Sequence, residues 1–452
     1  MADASLAEYE KFLRDKFQLT ADAGFALPAD VEVNPMLRPH QRDIVKWAVR
    51  KGYGAIFCSF GLGKTFMQLE WARLLGRPTL IVAPLSVARQ TSREAEKLGI
   101  HVRYSRGGPR QAAIEVTNYE MLEHFDPAEY DAVVLDESSI LKAVDGRTRT
   151  RIIEMFRDTP YRLACTATPA PNDLAEIGNH AEFLGVASQV EMLAEFFIHD
   201  SGGAGDRSGW RLKGHAEREF YRWMASWSMS VRRPSDLGYA DDGYVLPPLT
   251  VSPHFVHADY VPEGQLIFGG LKGITDRAAV RKATAGDRIA RTVELVNGTP
   301  GQWIVWHGLN TEGDALAAAI PDAVLVEGSQ SPEDKASALE RFQDGGVRVL
   351  ITKPKIGAWG LNFQHCAHTT TFPSHSFEQY YQSIRRLWRF GQKRPVRVDI
   401  VTTEGEREVM QSLQRKAGQA EEMFSRLVAE MGQALAVGRN TNTRKTEVPS
   451  WL

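Results

Sequence analysis

Residues 61–65 read Gly-Leu-Gly-Lys-Thr, and residues 136–137 read Asp-Glu at the end of the apolar run VVLDE. The first group has the composition of a phosphate cradle. Gly61 and Gly63, with Leu62 between them, let the backbone wrap an anion, and the N–H groups that open a helix point at it. Lys64 neutralises charge, and the Thr65 hydroxyl can hold Mg2+. The full pattern G-x-x-x-x-G-K-[ST] asks for glycine where this chain has Cys58. The second group puts two carboxylates where a strand would end. There Asp136 would hold Mg2+ through water, and Glu137 would take the proton of an attacking water. Alone, the first could be a chance turn and the second a solvated strand edge. A phosphate loop about 70 residues before an acidic pair predicts ATP hydrolysis.

Such groups need strands and helices to aim them. GLGKT follows the run AIFCS (55–59) and precedes the helical pattern KTFMQLEWARLLG (64–76), the strand–loop–helix context that a phosphate loop requires. Further runs, TLIVAP (79–84), AIEVTNY (113–119), DAVVLDE (131–137) and YRLACTAT (161–168), are almost continuously apolar, as strands buried on both faces are. The pattern restarts at WIVWH (303–307), DAVLVEG (322–328), VRVLIT (347–352), HTTTF (368–372) and VRVDIVT (396–402). Strands alternating with helices predict parallel sheets. The fold class expected is therefore α/β, with two parallel-sheet lobes at 34–172 and 291–436. A mostly helical insertion is expected at 173–290, a helical extension with Leu6, Tyr9, Phe12, Leu13 and Phe17 on one face at 1–33, and a polar tail at 437–452.

Composition excludes other classes. The chain has 452 residues, enough for two to four domains, with 43% apolar and 24% charged residues, which rules out a disordered or collagen-like polymer. Mean hydropathy is −0.30, and no apolar run approaches the roughly 18 residues of a membrane span, so no membrane partner is expected. The first residues lack the apolar core of a secretory signal. Three cysteines (Cys58, Cys165 and Cys366) beside core-like segments fit a reduced, cytoplasmic protein. The net charge of −2 argues against a polycation, but binding to nucleic acid depends on where charge sits. HCAH (365–368) offers three potential metal ligands without a fourth at zinc spacing, so it reads as structural.

Nine blocks in order carry a resemblance. They are LRPHQ (37–41), GLGKT, APLSVARQ (83–90), TNYEML (117–122), DESS (136–139), TATPAPN (166–172), IVWHGLN (304–310), GAWGLN (357–362) and QSIRRLWRFGQ (382–392). Together they resemble helicase superfamily two, and within it the Swi/Snf-type translocases, over about residues 34–430. SVRRPSD…LPPL (230–249) is similar to that family's segment between lobes. The resemblance implies two RecA-like lobes and ATP with Mg2+ as cofactors. It implies Gln41 as the adenine contact with His40 beside it as a stacking ring, and Gly360 of GAWGLN as a further nucleotide-site residue. Arg386 and Arg389 would reach from the second lobe to the γ-phosphoryl, so that hydrolysis needs closed lobes. Ser86, Arg89, Thr117, Asn118 and Lys353 would contact a phosphate backbone, positioning the protein without reading sequence.

Departures from the family pattern are Cys58 and Ser59 before the glycines, Ser139 where His is usual, Trp388, and SHSFEQYYQ (374–382). They leave every group needed for hydrolysis in place and point to a divergent bacterial or phage-encoded member. Two stretches are basic. Arg385, Arg386, Arg389, Lys393, Arg394 and Arg397 form one; Arg207, Arg211, Lys213, Arg218, Arg222, Arg232 and Arg233, interleaved with Trp210, Trp223 and Trp227, form the other. Basic stretches with aromatics suit nucleic acid, although Trp223 and Trp227 at i,i+4 spacing equally suit a helical core. The expected activity is ATP-dependent translocation on double-stranded DNA, with single-stranded DNA or RNA second and an effector protein as a further partner. The alternatives are a strand-separating helicase and an ATP-gated clamp with little turnover.

Overall fold

The computed structural model describes residues 20–142, 146–199, 209–256, 283–357, 362–372, 377–403 and 406–441. The apolar stripe from Leu6 to Phe17, Arg207 and Gly360 lie outside the described residues. Two compact units emerge, one of residues 1–241 with 419–452, the other of 242–418.

In the first unit the strands are β1 (Tyr53–Cys58), β2 (Thr79–Ala83), β3 (Arg103–Tyr104), β4 (Ile114–Asn118), β5 (Ala132–Asp136) and β6 (Tyr161–Thr166). An antiparallel pair, β7 (Phe197–His199) and β8 (Trp210–Leu212), stands apart, and β9 (Ser228–Val231) completes the main sheet. Its order is β3-β4-β2-β5-β6-β1-β9, and every pairing is parallel. All residues of β2, β4 and β5 are buried, which is why those runs carry no polar alternation. Helices such as Lys64–Leu75 and Leu85–Lys97 make the crossovers between successive parallel strands. The core on one side joins Phe57, Leu80, Val133, Leu135 and Ile152 to Phe220, Trp223, Met224 and Trp227, and continues to Met423, Phe424 and Leu427.

The second unit holds β10 (Leu249–Val256), β11 (Trp303–Trp306), β12 (Ala323–Val326), β13 (Val349–Thr352), β14 (His368–Thr371) and β15 (Val396–Thr403), in the order β10-β15-β14-β11-β13-β12 and again wholly parallel. Its core centres on Trp303, Val305, Leu316, Val349, Ile351 and Val401. Each unit is a parallel-sheet α/β structure.

The stretch read as a helical insertion is instead divided between the units at Asp241 and Asp242. The physical reason is edge pairing. SMSV forms β9 against β1, and the helix Glu217–Trp227 before it buries its aromatic face on the same core. LTVSPHFV forms β10 against β15, tolerating Pro253 because β10 is the last strand of its sheet. The helix Arg407–Thr441 likewise crosses the expected boundary, belonging to the first unit from Gln419 onward.

Candidate functional site

The glycine-rich loop expected to bind phosphate lies at the carboxyl end of β1, where parallel sheets present ligand sites. Gly61 has φ +83° and Gly63 φ +80°, left-handed positions that a side chain would strain. Gly63 caps the helix Lys64–Leu75. A Cβ added to Gly63 would stand 2.4 Å from Gln41 Nε2, so this glycine serves packing as well as conformation. Cys58 is buried and lies outside the left-handed region, so glycine is not required there. Its carbonyl accepts from Lys64 Nζ at 2.9 Å, and burial raises its thiol to about 12, leaving it inert. The ammonium of Lys64 also stands 5.0 Å from the Phe60 ring centre.

Gln41 braces the loop from beneath. Its Nε2 donates to the Leu62 carbonyl at 2.9 Å while its Oε1 accepts from Arg38 N at 2.8 Å, fixing the start of the helix Pro39–Lys51 to the loop. His40, next to it, is buried; that burial and then the Arg38 charge lower its pKa to about 4. Its ring centre lies 6.3 Å from that of Tyr239.

β5 delivers the acids two strands away, with β6 between. Gln68 Nε2, one helical turn beyond Lys64, donates to Asp136 Oδ1 at 2.8 Å and so ties the loop's helix to the acidic strand. Burial, then the neighbouring Glu137 carboxylate, raises the Asp136 pKa; Gln68 and Lys64 oppose that rise. Glu137 is 8% exposed and has φ +52°. Its N–H donates to Asp136 Oδ1 at 3.0 Å, while its Oε2 is buried with no hydrogen-bond partner among the described residues. Gln68 Oε1 and Thr168 Oγ1 are likewise buried and unmatched. Buried carboxylate and amide oxygens without a donor are what the waters of a hydrated divalent cation would satisfy. These residues fit Mg2+ with a nucleotide; Thr65 and Asp136 are the ones that would hold the metal. Gln68 escaped the sequence reading, although a buried glutamine one turn past the loop lysine in an otherwise apolar helix is a legible signal.

The expected polymer contacts fare differently. Thr117 is buried, its hydroxyl donating to the Ser105 carbonyl at 2.9 Å. Asn118 accepts from Tyr104 at 2.9 Å and donates to Glu120 at 2.6 Å. Ser86 and Arg89 lie on the helix Leu85–Lys97, their side chains outside the described ones.

In the second unit, Lys353 donates to Asn310. Arg386 is 4% exposed, and Arg389 donates to Asn362. The basic stretches are largely engaged internally: Arg385 stacks on Trp388 at 4.4 Å, Arg397 pairs with Asp399 at 2.8 Å, Arg232 with Glu421 at 2.8 Å and Arg222 with Glu219 at 3.8 Å. Trp223 and Trp227 are core, 6% and 0% exposed. Among the described residues no acidic, histidine or cysteine cluster could hold a metal by itself, HCAH included, and no helix is long and apolar enough to cross a membrane.

Fold and candidate site together describe a two-unit parallel-sheet α/β protein with a glycine-rich loop at the end of β1. No family model matches the chain. Over 50 residues it is 48% identical to a protein provisionally named a helicase in Frog virus 3 (isolate Goorha); the match takes 10% of this chain and 12% of that one. The chain thus spans about an eighth of that relative's length. Among solved structures it is similar to the Sulfolobus solfataricus SWI2/SNF2 ATPase core in complex with double-stranded DNA, at 17% identity and a TM-score of 0.43, over 88% of this chain and 97% of that one.

Proposed function

We propose that this chain is a DNA-dependent ATPase that moves along double-stranded DNA and remodels protein–DNA complexes. The observation that carries the ATPase part lies within the first unit: Lys64 on its loop, Asp136 at the end of β5 and Glu137 just after it, with the loop's helix tied to Asp136 through the Gln68–Asp136 hydrogen bond of 2.8 Å. Duplex DNA as the polymer rests on the ordered sequence blocks.

In this mechanism the loop N–H groups and Lys64 bind the phosphates, and Gln41 keeps the loop in register. Thr65 and Asp136 would hold Mg2+, which neutralises charge on the phosphate oxygens when bound. Glu137, whose buried Oε2 makes no other hydrogen bond among the described residues, orients the attacking water and takes its proton. Lys353 contacts the DNA backbone.

Two measurements test this. Glu137→Gln should bind ATP at wild-type affinity and lose turnover by about 10²-fold or more; wild-type hydrolysis by that variant would reject Glu137 as the base. ATPase rates without polymer and with duplex DNA, single-stranded DNA or RNA should rise with duplex alone, followed by triplex displacement to detect movement. Stimulation by single strands instead would favour a helicase, and none at all an ATP-gated clamp.

A further inference from the structure

The acid that this reaction uses sits in a backbone conformation that must be held. At φ +52°, Glu137 occupies the left-handed region, at a cost of roughly 1–2 kcal/mol for a residue with a side chain. Strain of this kind persists only where surrounding structure over-determines it. Two restraints are local: Glu137 N–H to Asp136 Oδ1 at 3.0 Å, and Ile140 N–H to the Glu137 carbonyl at 3.2 Å.

The third restraint is not local. Ser138 opens the short 3-10 turn Ser138–Lys142 and is fully buried, and its Oγ lies 3.0 Å from Nε2 of His180. His180 is also fully buried, on the helix Ile177–Leu184, with its ring edge-on to Phe57 of β1 at 5.3 Å. That helix is itself anchored. Arg149 donates to Asn179 at 3.0 Å and pairs with Glu182, and Glu176 at the helix start accepts from Asn172 N at 3.0 Å and Nδ2 at 2.8 Å. Asn172 closes the TATPAPN segment that leaves β6. A continuous path of side chains therefore runs from the end of β6, through the helix, to the peptide that follows Glu137. With no water to compete, the Ser138–His180 hydrogen bond is a stiff constraint.

We propose that His180 is a positioning residue for the catalytic base: through Ser138 it pins the backbone after Glu137 and so fixes where the Glu137 carboxylate points. This rests on the ATPase reading of the same site. Misplacing a base by about 1 Å costs up to about 10²-fold in rate while leaving binding of the nucleotide to the loop untouched.

The test is steady-state ATPase, with nucleotide affinity measured by a fluorescent ATP analogue, on the full chain. Ser138→Ala and His180→Phe should each lower kcat about 10- to 100-fold with affinity within about twofold of wild type. The double variant should be no slower than the slower single one, because both remove one shared bond. His180→Gln, which can place an amide near the position of Nε2, should recover most of kcat. Wild-type turnover by Ser138→Ala, or losses that multiply in the double variant, would overturn the assignment; Ser138→Ala removes a single oxygen and stays informative if His180→Phe misfolds. An unmutated protein with no ATPase activity would instead overturn the ATPase reading itself.

Discussion

Glu176 shows how burial sets protonation in the first unit. Desolvation lifts its pKa to about 7, against the two hydrogen bonds from Asn172; Asp173 adds to the rise and Lys142 opposes it. The folded protein therefore holds this proton more tightly than the unfolded chain, where the group titrates near 4.5. Its contribution to stability is full below about 4.5 and is lost as pH rises through about 7, on the order of 3 kcal/mol. Glu176→Gln removes the titration, so its melting temperature should change less between about pH 5 and 8 than that of wild type. Parallel curves would reject this account. Lys64, Thr65, Asp136 and Glu137 were legible in the sequence because motif chemistry dictates residue type and spacing. His180 was not: it enters the site from a helix with no local motif, and only the tertiary fold brings it to Ser138.

The glycine-rich loop proposed to bind ATP invites a comparison between two left-handed glycines at opposite ends of the helix Lys64–Leu75. Gly63 (φ +80°) lies against Gln41, whereas Gly76 (φ +61°) would present a Cβ to open space. Both alanine variants pay a backbone cost of about 1–2 kcal/mol. Only Gly63→Ala should also push Gln41 from the loop and weaken ATP binding, by about tenfold or more, the equivalent of about 1.4 kcal/mol. Isothermal titration of both variants checks this; equal losses would reject the loop-bracing role of Gln41. At this scale ten strands, five in each sheet, were legible because burial on both faces leaves continuous apolar runs. β9 and β10 were not: SMSV alternates serine with apolar residues, and β10 is an edge strand with exposed positions and a proline.

The whole chain's net charge is near zero, at −2, and among the described residues of the first unit basic side chains pair locally with acids. Arg218, Arg222, Arg232 and Arg233 each meet an acid within the first unit, and Lys213 donates to the Ala194 and Glu195 carbonyls. Such exposed pairs contribute little to stability. The apolar seam beneath them contributes more. Met423, Phe424 and Leu427 join the first unit's core from the last described helix, and Leu427 is fully buried. Leu427→Ala should cost about 2–5 kcal/mol, read in calorimetry as a lower transition for the first unit with the second unchanged. This seam lay in the stretch assigned by sequence to the second lobe, because a helix's apolar face does not say which neighbour it will cover. The seam also imposes an order on biosynthesis. All of residues 242–418 are translated before the ribosome reaches Leu427. Until then the nascent first unit lacks Phe424 and Leu427, and the part of its core that they cover stays open to water, the kind of transiently exposed apolar surface on which nascent chains aggregate.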